Sequence, residues 1–163
     1  MGLQAEGLAG GGLLVDTNLL VLYTVGAVNR NRIENFKRTS KYTRSDYDLL
    51  REFLDKFNPI YAVPHVLAEV SNLTDLSGAE RQQARLILKQ TISKLVEETV
   101  PSAAAAADAS YDRLGLVDAA IGVGARICKC AVLTDDLALY VHLLNNGIDA
   151  INFAHLQARR YGI

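Results

Sequence analysis

The chain has 163 residues, half of them hydrophobic, which is enough to bury one proper core and too few to expect two domains. Seventeen Lys and Arg stand against eighteen Asp and Glu, and the net charge of -1 excludes a global electrostatic signature for nucleic acid or a membrane surface. Any polyanion binding has to come from local clustering.

Residues 1–12 are Gly-rich and lack a basic n-region and a long apolar run, so they are expected to form a flexible arm, neither signal peptide nor membrane span. Leu13-Leu14-Val15 then reads as a strand buried on both faces, and the spacing of Leu19, Leu22 and Tyr23 reads as a helix. Asp16 therefore sits at a strand's carboxyl end, the edge where open α/β sheets bind ligands. It reads equally well as the helix N-cap.

The segment from Gly26 to Lys56 holds the only basic concentration, with a basic helical part at about 29–57. Ser45 and Asp48 resemble a capping box for a helix whose stripe Leu49, Leu50, Phe53, Leu54 and Phe57 ends at Asn58-Pro59. Arg30, Arg32, Lys37 and Arg38 are the candidate RNA contacts of an electropositive flap. The competing reading is a solvated face diluted by Glu34, Asp46, Asp48, Glu52 and Asp55.

Ile60 to Val63 is the second strand, and Pro64 opens a helix. Glu69 points along that helix's apolar stripe of Val66, Val70 and Leu73, an inward position that is costly for a carboxylate unless a cation or donors meet it. His65 or an Arg could serve as a structural partner. Ser77 and Glu80 suggest a capping box for a helix from Gly78 to about Glu97, with Leu86, Leu88, Ile92 and Leu95 on its inner side. Glu97 to Val100 is a brief edge strand, and Ser102 caps an Ala-rich helix from Ala103 to about Arg113.

The next helix carries Asp118 within its stripe of Leu114, Val117, Ile121 and Ala125; a first-turn Asp is also favoured by the helix dipole alone. The small residues Ala119, Ala120, Gly122, Gly124 and Ala125 predict close packing against the sheet. Cys128 and Cys130, heading into a strand, are expected as buried free thiols, with no zinc-type spacing around them. Ala131 to Thr134 is a further strand that ends in Asp135-Asp136 before a helix from Leu137 to Asn145, so the pattern of Asp16 recurs, one acid capping and the other free to act. Ile148 to Phe153 is a last edge strand, and His155 to Ile163 a short tail without a readable pattern.

Four acid placements, two at strand ends and two facing inward on helices, converge on one end of a parallel sheet. Two unit charges ~4 Å apart repel by about 4 kcal/mol at an effective dielectric of about 20, so something positive belongs between them. All-oxygen ligands select hard divalent cations, Mg²⁺ or Mn²⁺, which bind substrate phosphate and activate water.

With these residues the chain resembles the PIN-domain family, and within it the small single-domain ribonucleases typified by VapC toxins. The carriers are Val15-Asp16-Thr17-Asn18, Pro64-His65-Val66-Leu67-Ala68-Glu69-Val70, Leu114-Gly115-Leu116-Val117-Asp118-Ala119-Ala120-Ile121 and Leu133-Thr134-Asp135-Asp136, in that order and spacing. The resemblance implies one PIN-like nuclease domain over residues 13–163, a three-layer α/β/α sandwich around a central parallel sheet. It further implies Asp16, Glu69, Asp118 and Asp136 as catalytic, metal-binding acids, with Asn18 and Thr134 in support. Asp136 is preferred to Asp135 because the family pattern reads Thr, any residue, Asp. The implied activity is Mg²⁺- or Mn²⁺-dependent endonucleolytic hydrolysis of single-stranded RNA, with an antitoxin protein and further copies of the chain as the partners of such toxins. A cytoplasmic setting is expected separately, from the reduced state assigned to Cys128 and Cys130. The segment from Gly26 to Lys56 is longer than in a minimal toxin, so nuclease is the first expectation and toxin the second. Two alternatives belong to other classes. One is a non-catalytic PIN-like module binding RNA or protein; the other is a phosphotransfer or phosphatase domain with Asp16 as nucleophile, which calls for a second acid two residues on or a positioned Lys, where this chain offers Asn18 and no obvious Lys.

Overall fold

In the computed structural model, which describes Leu8 and residues 11–163, the apolar runs become five short parallel strands. Most of the expected arm lies outside the described residues. In chain order the elements are β1 (Leu13–Val15), α1 (Thr17–Val28), a 3-10 helix (Arg30–Asn35), α2 (Arg44–Leu54), β2 (Ile60–Ala62), α3 (Pro64–Leu73), α4 (Gly78–Lys94) and β3 (Val96–Glu97). They continue with α5 (Ser102–Ala107), α6 (Tyr111–Leu114), α7 (Leu116–Cys128), β4 (Ala131–Thr134), α8 (Leu137–Asn145), β5 (Ala150–Asn152) and α9 (Phe153–Tyr161).

The sheet order is β3-β2-β1-β4-β5, every pair is parallel, and helices cover the sheet as a three-layer α/β/α sandwich. The chain runs from β1 outward to β3, crosses back over β1, and continues outward from β4 to β5. A topological switch point therefore lies at the carboxyl ends of β1 and β4, where the registers place Val15 beside Leu133. Leu13, Leu14 and Val15 are wholly buried, as a central strand covered on both faces requires.

Helix α7 lies close to the sheet, as its small residues predict: a Cβ added at Gly124 would come within 2.8 Å of Val63 Cγ1. This approach fixes the helix that carries Asp118 against the strand that leads to Glu69. Among the described residues no helix is long and apolar enough to cross a membrane.

Several local expectations are corrected. The capping box of α2 is Thr43 with Asp46, not Ser45 with Asp48; the Asp46 carboxylate also receives the Tyr161 hydroxyl at 3.1 Å. Ser77 makes no capping hydrogen bond, and Glu80 instead pairs with Arg32 at 3.1 Å. Leu86 and Ile92 are exposed, and α4 buries Ala84 and Leu88, because its apolar residues spread around the helix and do not form one stripe. The Ala-rich helix stops at Ala107, where Asp108 turns to accept from the Ser110 backbone and hydroxyl, and the expected tail folds as α9 with Asn152 as its cap. Cys128 and Cys130 are bonded as a disulfide, not free. The intervening Lys129 takes a left-handed conformation (φ 53°), so the chain turns at the helix end and the two Cα atoms come to 5.3 Å.

Candidate functional site

Asp16 ends β1 and is 5% exposed. Its backbone N–H continues the ladder to Leu133, while one carboxylate oxygen accepts from the Thr17 N–H at 2.6 Å and the other from the Thr134 hydroxyl at 2.6 Å. Thr134 Oγ1 in turn accepts from the Asp136 N–H at 3.0 Å. The supporting position expected for Thr134 is thus a bridge between the ends of two adjacent strands. Capping and site-lining coexist here: Asp16 caps α1, and Asp136 caps α8 by accepting from the Leu139 N–H at 3.0 Å.

Asp16, Asn18, Glu69, Asp118 and Asp136 all line one open cavity of about 380 Å³ at the switch point. Glu69 enters from α3 and Asp118 from the first turn of α7, and the rest of that wall comes from the turn at Gly115, whose φ of 88° suits glycine. Among the described residues neither Glu69 nor Asp118 has a hydrogen bond or an ion pair. His65, the structural partner considered for Glu69, is hydrogen bonded through Nε2 to the Ser102 hydroxyl at 2.8 Å.

The electrostatics follow from this crowding without cations. Burial pushes the Asp16 carboxyl up from 3.8 to about 6, against the lowering by its two hydrogen bonds and with further upward pressure from Asp135 and Asp136. Asp118 rises to about 7, through burial first and then the neighbouring charges of Asp16, Asp136 and Glu69. Asp16 and Asp118 are thus both held above the ordinary carboxyl range by burial and by acidic neighbours.

Asp135 and Asp136 divide the work. Asp136 lines the cavity, whereas Asp135 accepts from Lys41 Nζ at 2.6 Å, from Asn18 Nδ2 at 3.2 Å and from the Tyr42 hydroxyl. Burial alone would raise the Asp135 carboxyl; the hydrogen bonds from Lys41 and Tyr42 overcome it and hold the group below its ordinary range. Burial, followed by the Asp135 charge, raises the Tyr42 phenol.

The donor set suits a hard divalent cation: four carboxylates, no Lys, Arg or His among the described lining residues, and a buried Thr17 Oγ1 without a hydrogen-bond partner. Among the described residues no group of three or more His, Cys, Asp or Glu side chains is already gathered into a cage for an ion. The four acids share the lining of one cavity without forming such a group.

The basic contacts expected of the flap are largely occupied. Arg30 pairs with Asp48 at 2.5 Å, Arg32 with Glu80 at 3.1 Å and Lys37 with Asp75 at 3.6 Å, while Arg38 is exposed and makes no ion pair among the described residues. Sequence reasoning missed Thr17 and the pair Lys41-Tyr42. The hydroxyl beside Asp16 was a readable signal for the first; the second depends on contacts with Asp135 across 94 and 93 residues.

A larger cavity of about 440 Å³ lies between α1, α4 and the start of β2, walled mainly by apolar groups such as Leu20, Phe57, Ile60 and Leu95. It has no comparable gathering of carboxylates.

Comparison with known proteins gives no matching family model and no matching curated protein.

Proposed function

We propose that the protein is a metal-dependent endoribonuclease that hydrolyses phosphodiester bonds of single-stranded RNA, as its resemblance to PIN-domain ribonucleases implies. The observation that carries this reading is the convergence of Asp16, Glu69, Asp118 and Asp136 on one cation-free cavity at the switch point of a parallel sheet. Glu69 and Asp118, both half-buried, reach that cavity with no side-chain hydrogen bond or ion pair among the described residues.

In this reading Asp16, Glu69 and Asp118 would hold a first Mg²⁺ or Mn²⁺, and Asp136 would orient water or help to hold a second ion. When bound, such an ion supplies charge compensation to the phosphodiester and acidifies water. Thr134 fixes the rotamer of Asp16 and ties it to the Asp136 backbone, so the two strand ends present their oxygens together. Thr17 offers a hydroxyl beside Asp16, and Asn18 closes the side towards Asp135. Asp118, raised to about 7 by burial and then by its acidic neighbours, would be favoured as the carboxylate by a cation held beside it. The toxin role with an antitoxin partner and self-association belongs to the same family reading, whereas the Cys128–Cys130 disulfide removes the reduced thiols on which the expectation of a cytoplasmic setting rests.

The deciding experiment is cleavage of labelled single-stranded RNA with Mg²⁺ or Mn²⁺, repeated in EDTA and with Asp16→Asn. Loss of cleavage in both controls is expected. Cleavage that survives chelation overturns the reading.

A further inference from the structure

Among the described residues the cavity itself presents oxygens and no cation, yet a substrate phosphate has to approach it. Four carboxylates outweigh one divalent ion, so an anionic backbone would be repelled unless positive charge stands beside them. The four basic residues that the sequence offered for this are poor candidates, three of them being paired with Asp48, Glu80 and Asp75 away from the cavity lining. Lys41 is differently placed. Its ammonium is 2.6 Å from Asp135, whose side chain is only 8% exposed, and Asp135 also accepts from Asn18, a residue of the cavity lining.

We propose that Lys41, held at the rim of the carboxylate cavity by the buried Asp135, is the substrate-phosphate contact of the site. The proposal rests on the nuclease reading and adds the element that reading lacks, a fixed cation beside the acids. The anchoring is independent of any ligand. Tyr42, 3% exposed, packs edge-on against Phe153 with ring centroids 6.3 Å apart and gives its hydroxyl to the same Asp135. Thr39 is wholly buried and donates to the Ile33 carbonyl at 2.7 Å, so the segment before α2 is fastened on both sides of Lys41. The Lys41 side chain is nevertheless 57% exposed, and an ammonium with three donors that gives one to Asp135 keeps others for a phosphate oxygen. Asp135 is then a positioning residue, distinct from its neighbour Asp136 in the cavity.

The test uses the full chain, a short fluorescein-labelled single-stranded RNA read by anisotropy with Ca²⁺ as the ion, and thermal melts with and without Mn²⁺. Lys41→Gln is expected to weaken RNA binding about tenfold and to reduce the magnitude of the salt slope by about 0.7, the share of one phosphate contact on a single strand. The Mn²⁺-induced rise in melting temperature is expected to stay that of the wild type, and Lys41→Arg to keep most of the affinity. Melts and circular dichroism of both variants show whether binding is measured on folded protein. If Lys41→Gln binds with wild-type affinity and slope while the Mn²⁺ shift is present, the Lys41 contact is overturned and the metal site stands. If the wild type shows no Mn²⁺ shift, the metal site falls and the Lys41 contact falls with it. An affinity loss in both variants alike also overturns the proposal, since charge at that position would then not matter.

Discussion

Asp108, between the short helices α5 and α6, and Asp118, in the first turn of α7, carry the same side chain in neighbouring stretches of chain, and their carboxyls move in opposite directions. Asp108 accepts from the Ser110 hydroxyl and backbone N–H and meets Arg126, and these donors hold it down at about 2. Asp118 has no side-chain donor among the described residues and rises to about 7, through burial first and then the charges of Asp16, Asp136 and Glu69. Donors hold Asp108 in its charged form, whereas the charged form of Asp118 would be favoured by a cation in the shared cavity. Within one dipeptide the partners also differ in kind: Asp135 is met by the side chains of Lys41, Tyr42 and Asn18, whereas Asp136 accepts only the Leu139 backbone N–H and lines the cavity.

The largest expected effect is on chemistry. Asp16→Asn should lower metal-dependent RNA cleavage by more than about a hundredfold, the loss seen for partners one shell further from a metal serving as a lower bound. Asp108→Asn should leave cleavage within about twofold when folded protein is compared. Equal losses in the two variants would erase the distinction between the regions.

Metal should act on one region only. At a hundredfold its dissociation constant, Mn²⁺ should stabilise the wild type and Asp108→Asn alike by about 2.7 kcal/mol, and Asp118→Asn much less. Melting curves that do not move with Mn²⁺ in the wild type would place the acids in a non-catalytic module.

Without metal, the substitutions should have opposite signs. In EDTA, Asp118→Asn and Glu69→Gln should gain about 1 kcal/mol by relieving repulsion, far below the pair estimate because water and proton uptake relax it. Asp108→Asn should lose about 1 kcal/mol with its charge-assisted hydrogen bonds. A loss for Glu69→Gln in EDTA would mean a buried structural pair.

The pH dependence sharpens this further. Asp16 and Asp118 have native values of about 6 and about 7 against an ordinary 3.8, so between these limits the native protein binds more protons than the unfolded chain. Their contribution therefore lowers metal-free stability as pH rises from about 4 to about 7, and changes nothing further above that. Asp108 contributes stability that is complete above 3.8 and is lost as pH falls through about 2. Denaturant midpoints across this range should show a shallower decline above pH 4 in Asp118→Asn; an unchanged decline would remove Asp118 from the coupled set. The smallest effect is expected from combined Ala substitutions at Arg30, Arg32, Lys37 and Arg38, whose RNA affinity should fall less than that of Lys41→Gln in the same anisotropy assay, since three of them are spent on local acids.

The frame was legible because β1 and β4 are short apolar runs broken by an acid at the carboxyl end, a pattern that sets strand, edge and helix start together. Glu69 and Asp118 were legible as acids on apolar stripes, and the structure brings both to the cavity that Asp16 and Asp136 line. What could not be read depends on single dihedrals or on contacts distant in the chain. The disulfide needs the left-handed turn at Lys129, which no residue pattern announces. Thr43 and Ser45 are both sound caps, and the choice fell to Thr43, whose N3 acid Asp46 is also bound by Tyr161. Leu86 and Ile92 are apolar helix residues, but composition alone does not reveal how narrow a strip of α4 packs on α1 and α3.

The strand order also governs when such a site can exist. β1 leaves the ribosome before the other four strands, yet it is the middle strand, and the hydrogen bond that joins Asp16 to Thr134 spans 118 residues of chain. Until β4 has been made and docked, one edge of β1 stays unpaired and the acids have no common cavity, so growth and early collapse proceed without the assembled centre. A polypeptide cut short before Thr134 would retain Asp16, Glu69 and Asp118 and still lack the strand that holds Asp16 in place. The centre is thus a late product of folding, completed by the contact of longest reach that fixes the orientation of its first acid.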